Sequence, residues 1–264
     1  MDTKAGGPPN APGIPVELWR RIRAAPHRLL MLDYDGTLAP LRHDRAHALP
    51  FPGMVERLRA LARSGHTTIA IVSGRPVEEL DRFLGLPDLA VIGEHGWDER
   101  TEHGDRIHHP LPEGAAGVLE AAERLALERG WGAHLERKRS GLVLHTRALS
   151  EPRARLIESE ALEIWSAAGE TGTLRLARTS GGVELRARGR DKGDAARSLI
   201  SQAPPGTLPV FVGDDVTDED AFEAVSQPGF GVRVGGGDLP SHAVARLADC
   251  EAVREFLEHW LRID

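Results

Sequence analysis

Residues 29–38 have the sequence Leu29-Leu30-Met31-Leu32-Asp33-Tyr34-Asp35-Gly36-Thr37-Leu38. The four apolar residues predict a short buried strand, and two carboxylates follow where that strand should end. In an open α/β sheet, ligands and chemistry collect at the carboxyl ends of the strands. Two acids this close are costly to fold because they repel each other and lose solvent, and a metal ion would relieve that cost. We therefore take this segment as the candidate active centre; a polar loop after a strand is the alternative.

The composition excludes several classes of protein. The chain has 264 residues and a formal net charge of −7, which gives no basis for broad nucleic-acid binding. No apolar run approaches the roughly 20 residues that cross a bilayer, so we expect no membrane segment. Cys250 is the single cysteine, which excludes an internal disulfide and a cysteine-based zinc site. The first 15 residues lack the apolar core of a signal peptide, and we expect them to be disordered and the protein to be cytoplasmic.

Strand and helix patterns alternate in the first part of the chain and again in the last. This alternation predicts an α/β fold with a parallel sheet. Between them, two helices and two hairpins predict an inserted α+β unit, which begins with an outer strand at Gly104 to His109. We therefore predict a split core, residues 1–103 and 188–264, with a cap at 104–187.

Two further segments place candidate phosphate-binding groups at strand or helix ends. Ser73-Gly74-Arg75 follows the β-branched strand Thr67 to Val72, where a hydroxyl and backbone amides can hold phosphate oxygens. Lys192 stands near the start of a helix, which is unfavourable for a cation, so it either faces solvent or is held there for an anion. Two acids would help to fix its ammonium group.

The last segment is acidic and follows the apolar strand Pro209 to Val212. Gly213 is followed by Asp214-Asp215-Val216-Thr217-Asp218-Glu219-Asp220, which is difficult to explain as a solvated surface. Asp214 lies closest to the strand end and is the expected Mg²⁺ ligand, since Mg²⁺ prefers oxygen ligands and often uses one or two carboxylates. Asp215 and Asp218 are expected to support the site, although acids also favour a first helical turn.

These segments, taken in order, resemble the four motifs of haloacid-dehalogenase superfamily phosphatases. The resemblance implies a Rossmann-like core, a type IIB cap and a requirement for Mg²⁺. It implies that Asp33 is the nucleophile, Asp35 the general acid and base, and Thr37 a supporting residue. Ser73, Gly74 and Lys192 would hold the phosphate. The implied metal ligands are the side chains of Asp33 and Asp214 and the backbone carbonyl of Asp35.

The residues within these motifs are similar to those of the trehalose-6-phosphate phosphatase family. Asp-Tyr-Asp-Gly-Thr-Leu, Ser-Gly-Arg, Gly-Glu-His-Gly and Gly-Asp-Asp-Val-Thr-Asp-Glu-Asp carry this resemblance. It implies hydrolysis of trehalose 6-phosphate and a functional pairing with trehalose-6-phosphate synthase. The implied sugar-binding residues are Arg75, Glu136, Lys138, Arg147 and Glu184.

Three alternatives remain open from the sequence. Glu136 and Lys138 alternate with arginines, so they could equally be the solvated face of an exposed strand. The substrate could be another sugar phosphate acted on by the same chemistry. A non-catalytic relative that binds a sugar phosphate is the third possibility, although no acid that catalysis needs is missing.

Overall fold

The computed structural model describes residues 13–42, 45–179, 181–237 and 240–263. The strands of this part are β1 (His27–Leu32), β2 (Thr67–Val72), β3 (Ala90–Gly93), β4 (Asp98–Arg100), β5 (Arg106–His108), β6 (Leu135–Arg137), β7 (Gly141–His145), β8 (Leu174–Thr179), β9 (Gly182–Ala187), β10 (Thr207–Gly213), β11 (Phe230–Val234) and β12 (Ala243–Leu247). The helices are α1 (Val16–Ala24), α2 (Met54–Ala62), α3 (Val77–Leu84), α4 (Ala115–Glu128), α5 (Glu151–Ile164), α6 (Ser166–Glu170), α7 (Lys192–Gln202), α8 (Glu219–Val225) and α9 (Cys250–Leu261).

The larger sheet has eight described strands in the order β12-β11-β10-β1-β2-β3-β4-β5. The six strands from β12 to β3 pair in parallel, while β4 and β5 are added in antiparallel fashion. β1 lies between β2 and β10, so strands from the two ends of the chain meet beside it. Such a switch in strand order opens a crevice at the carboxyl ends of the strands. The predicted α/β fold with a parallel sheet is confirmed.

The strand β1 shows why this sheet is buried on both faces. Leu30 and Leu32 pack into a cluster with α1, α2 and α9, whereas Leu29 and Met31 pack into another with α7 and α8. A parallel strand covered on both sides needs a continuous apolar sequence, which these four residues supply.

The inserted unit has its own sheet and apolar cluster. Its four described strands are antiparallel in the order β6-β7-β9-β8, so the two predicted hairpins join through β7 and β9. Leu142, Leu144 and Leu185 pack against α4 and α5, and the buried Trp165 donates its indole N–H to the carbonyl of Ala122. The structure adds the short helix α6, which the sequence pattern did not predict.

Three details of the sequence prediction differ from the structure. The outer strand near residue 104 belongs to the large sheet, because β5 pairs with β4 and not with the cap strands. The strands β4 and β12 were not predicted. Residues 1–12 of the expected disordered segment lie outside the described residues, but Ile14 is buried in the core and the carbonyl of Gly13 accepts a hydrogen bond from the Arg246 amide.

Candidate active site

Three carboxylates meet at the carboxyl ends of β1 and β10. Oxygens of Asp33, Asp214 and Asp218 all lie within 4.8 Å of one another. The amide of Asp33 donates to the carbonyl of Val212 at 2.9 Å, which holds the end of β1 against β10. Two glycines permit this approach: a Cβ on Gly36 would lie 1.9 Å from Oδ2 of Asp214, and one on Gly213 would lie 2.4 Å from Cγ of Asp218.

Lys192 lies among these acids and not in solvent. Its ammonium donates to Oδ1 of Asp33 at 2.8 Å and to Oδ1 of Asp218 at 2.6 Å, and the residue is 3% exposed. Lys192 is the first residue of α7, and Asp191 caps that helix in a reciprocal pair of bonds with Asp194. The cap fixes the direction in which Lys192 leaves the backbone. Burial lowers the pKa of Lys192, but the charges of Asp218 and Asp33 outweigh burial and raise it, so the ammonium stays charged.

The acids carry more negative charge than Lys192 neutralises. Burial raises the pKa of Asp33, and the neighbouring Asp218 and Asp214 add to this effect against the attraction of Lys192. Burial and Asp218 likewise raise the pKa of Asp214 to about 7. Carboxylates in this position fit a bound divalent cation, which prefers oxygen ligands and would return both groups to their ionised form.

Asp35 has a different environment from Asp33. Its carboxylate accepts two bonds from the guanidinium of Arg75, at 2.7 Å from Nε and 2.6 Å from Nη2. Burial raises the pKa of Asp35, but the hydrogen bonds and charge of Arg75 outweigh it and hold the pKa below its usual value. Asp35 is therefore an ionised carboxylate in this arrangement, suited to accept a proton, and it must take one up before it can donate one.

The predicted contact of Arg75 with a sugar is not supported by the structure. Its side chain is 0% exposed and also pairs with Glu79 at 2.9 Å. Its guanidinium lies over the rings of Tyr34 and Phe83 and donates to the carbonyl of Arg45 at 3.1 Å. Arg75 lies behind Asp35, where it can orient that carboxylate but cannot reach a ligand in the cavity.

Ser73 and Gly74 follow β2 at the next strand end. Ser73 is buried, and its hydroxyl accepts a hydrogen bond from the amide of Arg75 at 3.3 Å. Thr37 is also buried, and its hydroxyl has no hydrogen-bond partner among the described residues. Asp215 turns the chain after β10 because its amide donates to Oδ2 of Asp218 at 2.8 Å and its side chain accepts from the Val216 amide.

A cavity of about 850 Å³ joins this core site to the inserted unit. The predicted site residues that line it are Asp33, Asp35, Ser73, Gly74, Glu136, Lys138, Arg147, Glu184, Lys192, Asp214 and Asp215. Arg75, Thr37 and Asp218 lie behind the lining. The sequence did not single out Arg45, Glu79 or His95 as site residues, although they also line the cavity; His145, which lines it too, belongs to the cap segment that carries the family resemblance. Their positions depend on contacts between distant segments, although the Gly-Glu-His-Gly motif does contain His95.

Polar contacts connect the inserted unit to the core around this cavity. The ammonium of Lys138 donates to the carbonyl of Gly74 at 2.8 Å, and Oε2 of Glu94 accepts from the amide and hydroxyl of Ser140 at 2.7 and 2.6 Å. Nη1 of Arg147 donates to the carbonyl of Arg42 at 3.2 Å. The inserted unit therefore covers the three carboxylates from above.

Glu184 on β9 and His95 on the core form a buried pair. The nearest atoms are Nε2 of His95 and Oε1 of Glu184, 3.7 Å apart, and Lys138 lies 3.9 Å from the same oxygen. Burial and the nearby Arg186 lower the pKa of His95 to about 4, against the attraction of Glu184. His95 is therefore neutral near pH 7. Burial raises the pKa of Glu184, but its contact with His95 and the charges of Lys138 and Arg186 outweigh burial and lower that pKa.

Residues 31–248 match a protein-family model described as trehalose-phosphatase. The chain is 34% identical over 241 residues to the bifunctional trehalose-6-phosphate synthase/phosphatase of Thermoproteus tenax, covering 89% of this chain and 32% of that one. It is 32% identical over 242 residues to the trehalose-phosphate phosphatase of Mycobacterium marinum, covering 88% of this chain and 60% of that one. The chain thus spans less than two thirds of the length of these relatives.

The fold has a counterpart among solved structures. The C-terminal domain of the Candida albicans trehalose-6-phosphate phosphatase superposes with a TM-score of 0.80 over 97% of this chain and 99% of that one, at 20% identity. At this level of identity, the likeness is evidence for the fold alone.

Proposed function

The chain belongs to the trehalose-phosphatase family of the haloacid-dehalogenase superfamily, and from that premise we propose that it hydrolyses trehalose 6-phosphate to trehalose and phosphate. The observation that carries this proposal is the contact of Asp33 with Lys192 beside Asp214, at one end of a cavity that the cap covers. Phosphoryl transfer needs a positioned nucleophile and positive charge around the phosphate, and this end of the cavity supplies both.

We assign the first step to Asp33 and Asp35. An oxygen of the Asp33 carboxylate attacks phosphorus, the bond from phosphorus to the sugar oxygen breaks, and an aspartyl-phosphate forms. Asp35, which must be protonated before this step, donates that proton to the departing sugar oxygen, and the water of the second step later restores it. Lys192, which already donates to Asp33, and Ser73 would hold the phosphate oxygens.

The second step regenerates the protein. Asp35, ionised after the first step, accepts a proton from water, and the water oxygen attacks phosphorus of the aspartyl-phosphate. The bond from phosphorus to Asp33 breaks, inorganic phosphate leaves, and Asp33 is again a carboxylate. The bidentate contact with Arg75 keeps Asp35 in one orientation during this exchange.

The acid cluster is proposed to hold Mg²⁺. Asp33 and Asp214 would contribute side-chain oxygens and Asp35 its carbonyl, with Asp218 holding Lys192 beside them. Bound Mg²⁺ would offset the negative charge of the phosphate and allow Asp33 to stay ionised.

The cap is proposed to recognise the sugar. Glu136, Lys138, Arg147 and Glu184 all line the cavity, where carboxylates can accept and cations can donate hydrogen bonds to hydroxyl groups. The division of the chain into core and cap is itself a proposal. Because β5 belongs to the large sheet, we place the start of the cap at about residue 109 and not at residue 104.

A functional partner and a cellular location are proposed from the sequence and from its similarity to known proteins. The Thermoproteus tenax relative is a fused synthase/phosphatase, which supports a functional pairing with a trehalose-6-phosphate synthase. No helix in the described part of the chain is long and apolar enough to cross a bilayer. The cytoplasmic location stays a prediction from the sequence.

A panel of phosphate esters tests the proposed substrate. Phosphate release would be measured with trehalose 6-phosphate, sucrose 6-phosphate, glucose 6-phosphate and p-nitrophenyl phosphate at equal concentrations. We expect trehalose 6-phosphate to have the highest kcat/KM. Brisk turnover of another ester without turnover of trehalose 6-phosphate would reject the substrate, and sugar binding without turnover of any ester would indicate a non-catalytic relative.

A further inference from the structure

Glu99 on β4 contacts both linkers that join the inserted unit to the core. The first linker follows β5 and begins at His109, and the second runs from Ala187 at the end of β9 to Lys192 at the start of α7. Oε1 of Glu99 lies 2.6 Å from Nε2 of His109 and accepts from Nη2 of Arg190 at 3.1 Å. One carboxylate oxygen of the core therefore holds both linkers.

Further hydrogen bonds fix the core ends of these linkers. Nε of Arg190 donates to the carbonyl of Gly96 at 2.5 Å. The amide of His109 donates to the carbonyl of Trp97 at 3.1 Å. Gly96 has a φ of +102°, and a Cβ there would lie 3.1 Å from a backbone oxygen of the second linker, so the turn after β3 packs closely against that linker. The side chain of Glu99 is 14% exposed, and hydrogen bonds are stronger in such partly desolvated positions than in water.

The second linker differs from the first because it leads directly into the acid cluster. Only residues 188–191 separate the last strand of the inserted unit from Lys192. Four extended residues span at most about 14 Å, so a displacement of the inserted unit would reach Lys192 unless this linker were held. Gly189 precedes Arg190, with a φ of +103° and open space where a Cβ would stand. A change in the linker can therefore be absorbed at Gly189, while Arg190 stays on the core.

We propose that Glu99 is a positioning residue that fixes the core ends of both linkers and, through Arg190, keeps Lys192 in place at the core acids. The ammonium of Lys192 needs such a hold because it donates to two carboxylates, at 2.8 and 2.6 Å, on the side where phosphate would bind. Glu99 is not among the described residues that line the cavity, so it acts through the linker and not by touching a ligand. This inference rests on the proposed role of Lys192 in holding phosphate.

Binding of inorganic phosphate in the presence of Mg²⁺, measured by calorimetry on variants of the full chain, tests this inference. We expect Glu99→Ala and Arg190→Ala each to weaken phosphate binding about 5-fold or more. The double variant should bind about as well as Arg190→Ala alone, because both changes release the same contact. Glu99→Gln keeps an oxygen that can accept both bonds and should retain most of the affinity.

Kinetics of two esters separate this role from recognition of the sugar. Every phosphate ester uses the same phosphate-binding groups, so Glu99→Ala should lower kcat/KM for trehalose 6-phosphate and for p-nitrophenyl phosphate by a similar factor. The ratio of the two values should therefore stay at that of the wild type. A selective loss on the disaccharide would overturn the inference.

Two further variants separate positioning from a general loss of stability. Asp81→Ala breaks a 2.9 Å ion pair with Arg100, which follows Glu99 on the same strand, and should keep the wild-type affinity for phosphate. His109→Ala releases only the first linker and should keep that affinity as well. The inference is overturned if Glu99→Ala binds phosphate as tightly as the wild type, or if Asp81→Ala weakens binding equally.

The same measurements distinguish failure of this inference from failure of the proposed function. A wild type that binds no phosphate with Mg²⁺ would overturn both, because Lys192 would then have no phosphate to hold. If the wild type binds phosphate but releases none from trehalose 6-phosphate, the proposed function is overturned, and weaker phosphate binding by Glu99→Ala would still support the positioning role.

Discussion

Lys192 and Asp33 form the residue contact on which the proposed chemistry depends. Removing one partner of a buried ion pair leaves an uncompensated charge, which costs about 3–5 kcal/mol. Lys192 touches two carboxylates while a third, Asp214, lies nearby, so the group is electrostatically unfavourable unless another cation joins it. This imbalance is the physical reason to expect a metal ion, and it separates the site from a structural ion pair.

The first prediction concerns replacement of Asp33, the proposed nucleophile. Asp33→Asn keeps the size of the side chain but removes the attacking carboxylate. We expect phosphate release from trehalose 6-phosphate to fall at least about 1,000-fold, because the covalent step is lost. The variant should remain folded, with a circular dichroism spectrum like that of the wild type. A fully active Asp33→Asn protein would rule out Asp33 as nucleophile.

Gly36 gives a prediction that depends on space and not on charge. A Cβ at this position would meet Oδ2 of Asp214 at 1.9 Å, and the residue has a φ of +76°, which side chains adopt at a cost. Gly36→Ala should therefore displace Asp214 and weaken Mg²⁺ activation about 10-fold or more. The Mg²⁺ concentration that gives half-maximal activity is the measurement. Gly65→Ala, at a left-handed glycine with open space around it, is the matched control.

Arg75 illustrates what the sequence could not establish about the site. The Ser73-Gly74-Arg75 motif predicted a group at a strand end, and the structure places Ser73 and Gly74 on the cavity. The direction of the Arg75 side chain depends on Asp35, 40 residues away, and on the rings of Tyr34 and Phe83. These partners come together only through packing, so resemblance alone assigned Arg75 to the sugar.

The N-terminus of α7 is the element that delivers Lys192 to the acids. Asp191 accepts from the amide of Asp194 at 2.8 Å, and the amide of Asp191 donates back to Asp194. Asp191→Ala should lower the free energy of unfolding by about 1 kcal/mol and should lower turnover as well, because the first turn fixes Lys192. Denaturant unfolding and phosphate release would be measured together.

A matched helix start provides the control for that prediction. Asp249 caps α9 by accepting from the amide of Ala252 at 3.0 Å, which corresponds to one of the two bonds between Asp191 and Asp194. No residue of α9 lines the cavity. Asp249→Ala should cost similar stability but less turnover than Asp191→Ala. Equal losses of turnover in the two variants would contradict a specific role for the start of α7.

The turn after β3 gives the molecule a predictable pH dependence. Glu94 and His95 have positive φ values of 47° and 57°, and this turn carries His95 into the cavity wall beside Glu184. The pKa of His95 falls from 6.5 to about 4 on folding. The unfolded chain therefore binds a proton more readily, so this contribution to stability is present above pH 6.5 and is lost as the pH falls towards 4.

His95→Gln tests the size of that contribution. Each pKa unit corresponds to about 1.4 kcal/mol, so the wild type should lose on the order of 1–3 kcal/mol more stability than the variant between pH 7 and 4. Urea unfolding of both proteins at several pH values measures the difference. Parallel stability curves for the two proteins would show that His95 is not responsible.

At the scale of the whole molecule, periodicity predicted the strands and helices that are strongly patterned. The parallel core and the antiparallel cap sheet follow from such segments. The elements that the sequence did not predict have weak patterns. β4 has three residues and α6 has five, and β12 is an edge strand in which partly buried residues alternate with exposed ones. The placement of β5 depends on its partner strand, which no local pattern specifies.

The cap and the core have different proposed roles in the whole molecule. The chemistry is assigned to the core acids, the sugar to the cap, and the cavity of about 850 Å³ between them to the substrate. The cap contacts the core through polar groups such as Glu94 with Ser140 and Arg45 with Glu136. Because the chemistry is assigned to the core, the proposed metal-dependent phosphatase activity rests on the acids Asp33, Asp35 and Asp214, and the cap residues affect only the choice of substrate.

Phosphate release from trehalose 6-phosphate, measured before and after removal of divalent cations, tests whether the chain is a metal-dependent phosphatase. We expect steady release by the wild type, loss of release on chelation, and recovery when Mg²⁺ is added back. Asp214→Asn should recover little at the same Mg²⁺ concentration, because Asp214 is a proposed ligand and lies beside Asp33. Undiminished release after complete chelation would exclude a metal-dependent reaction, and full recovery in Asp214→Asn would exclude Asp214 as a metal ligand.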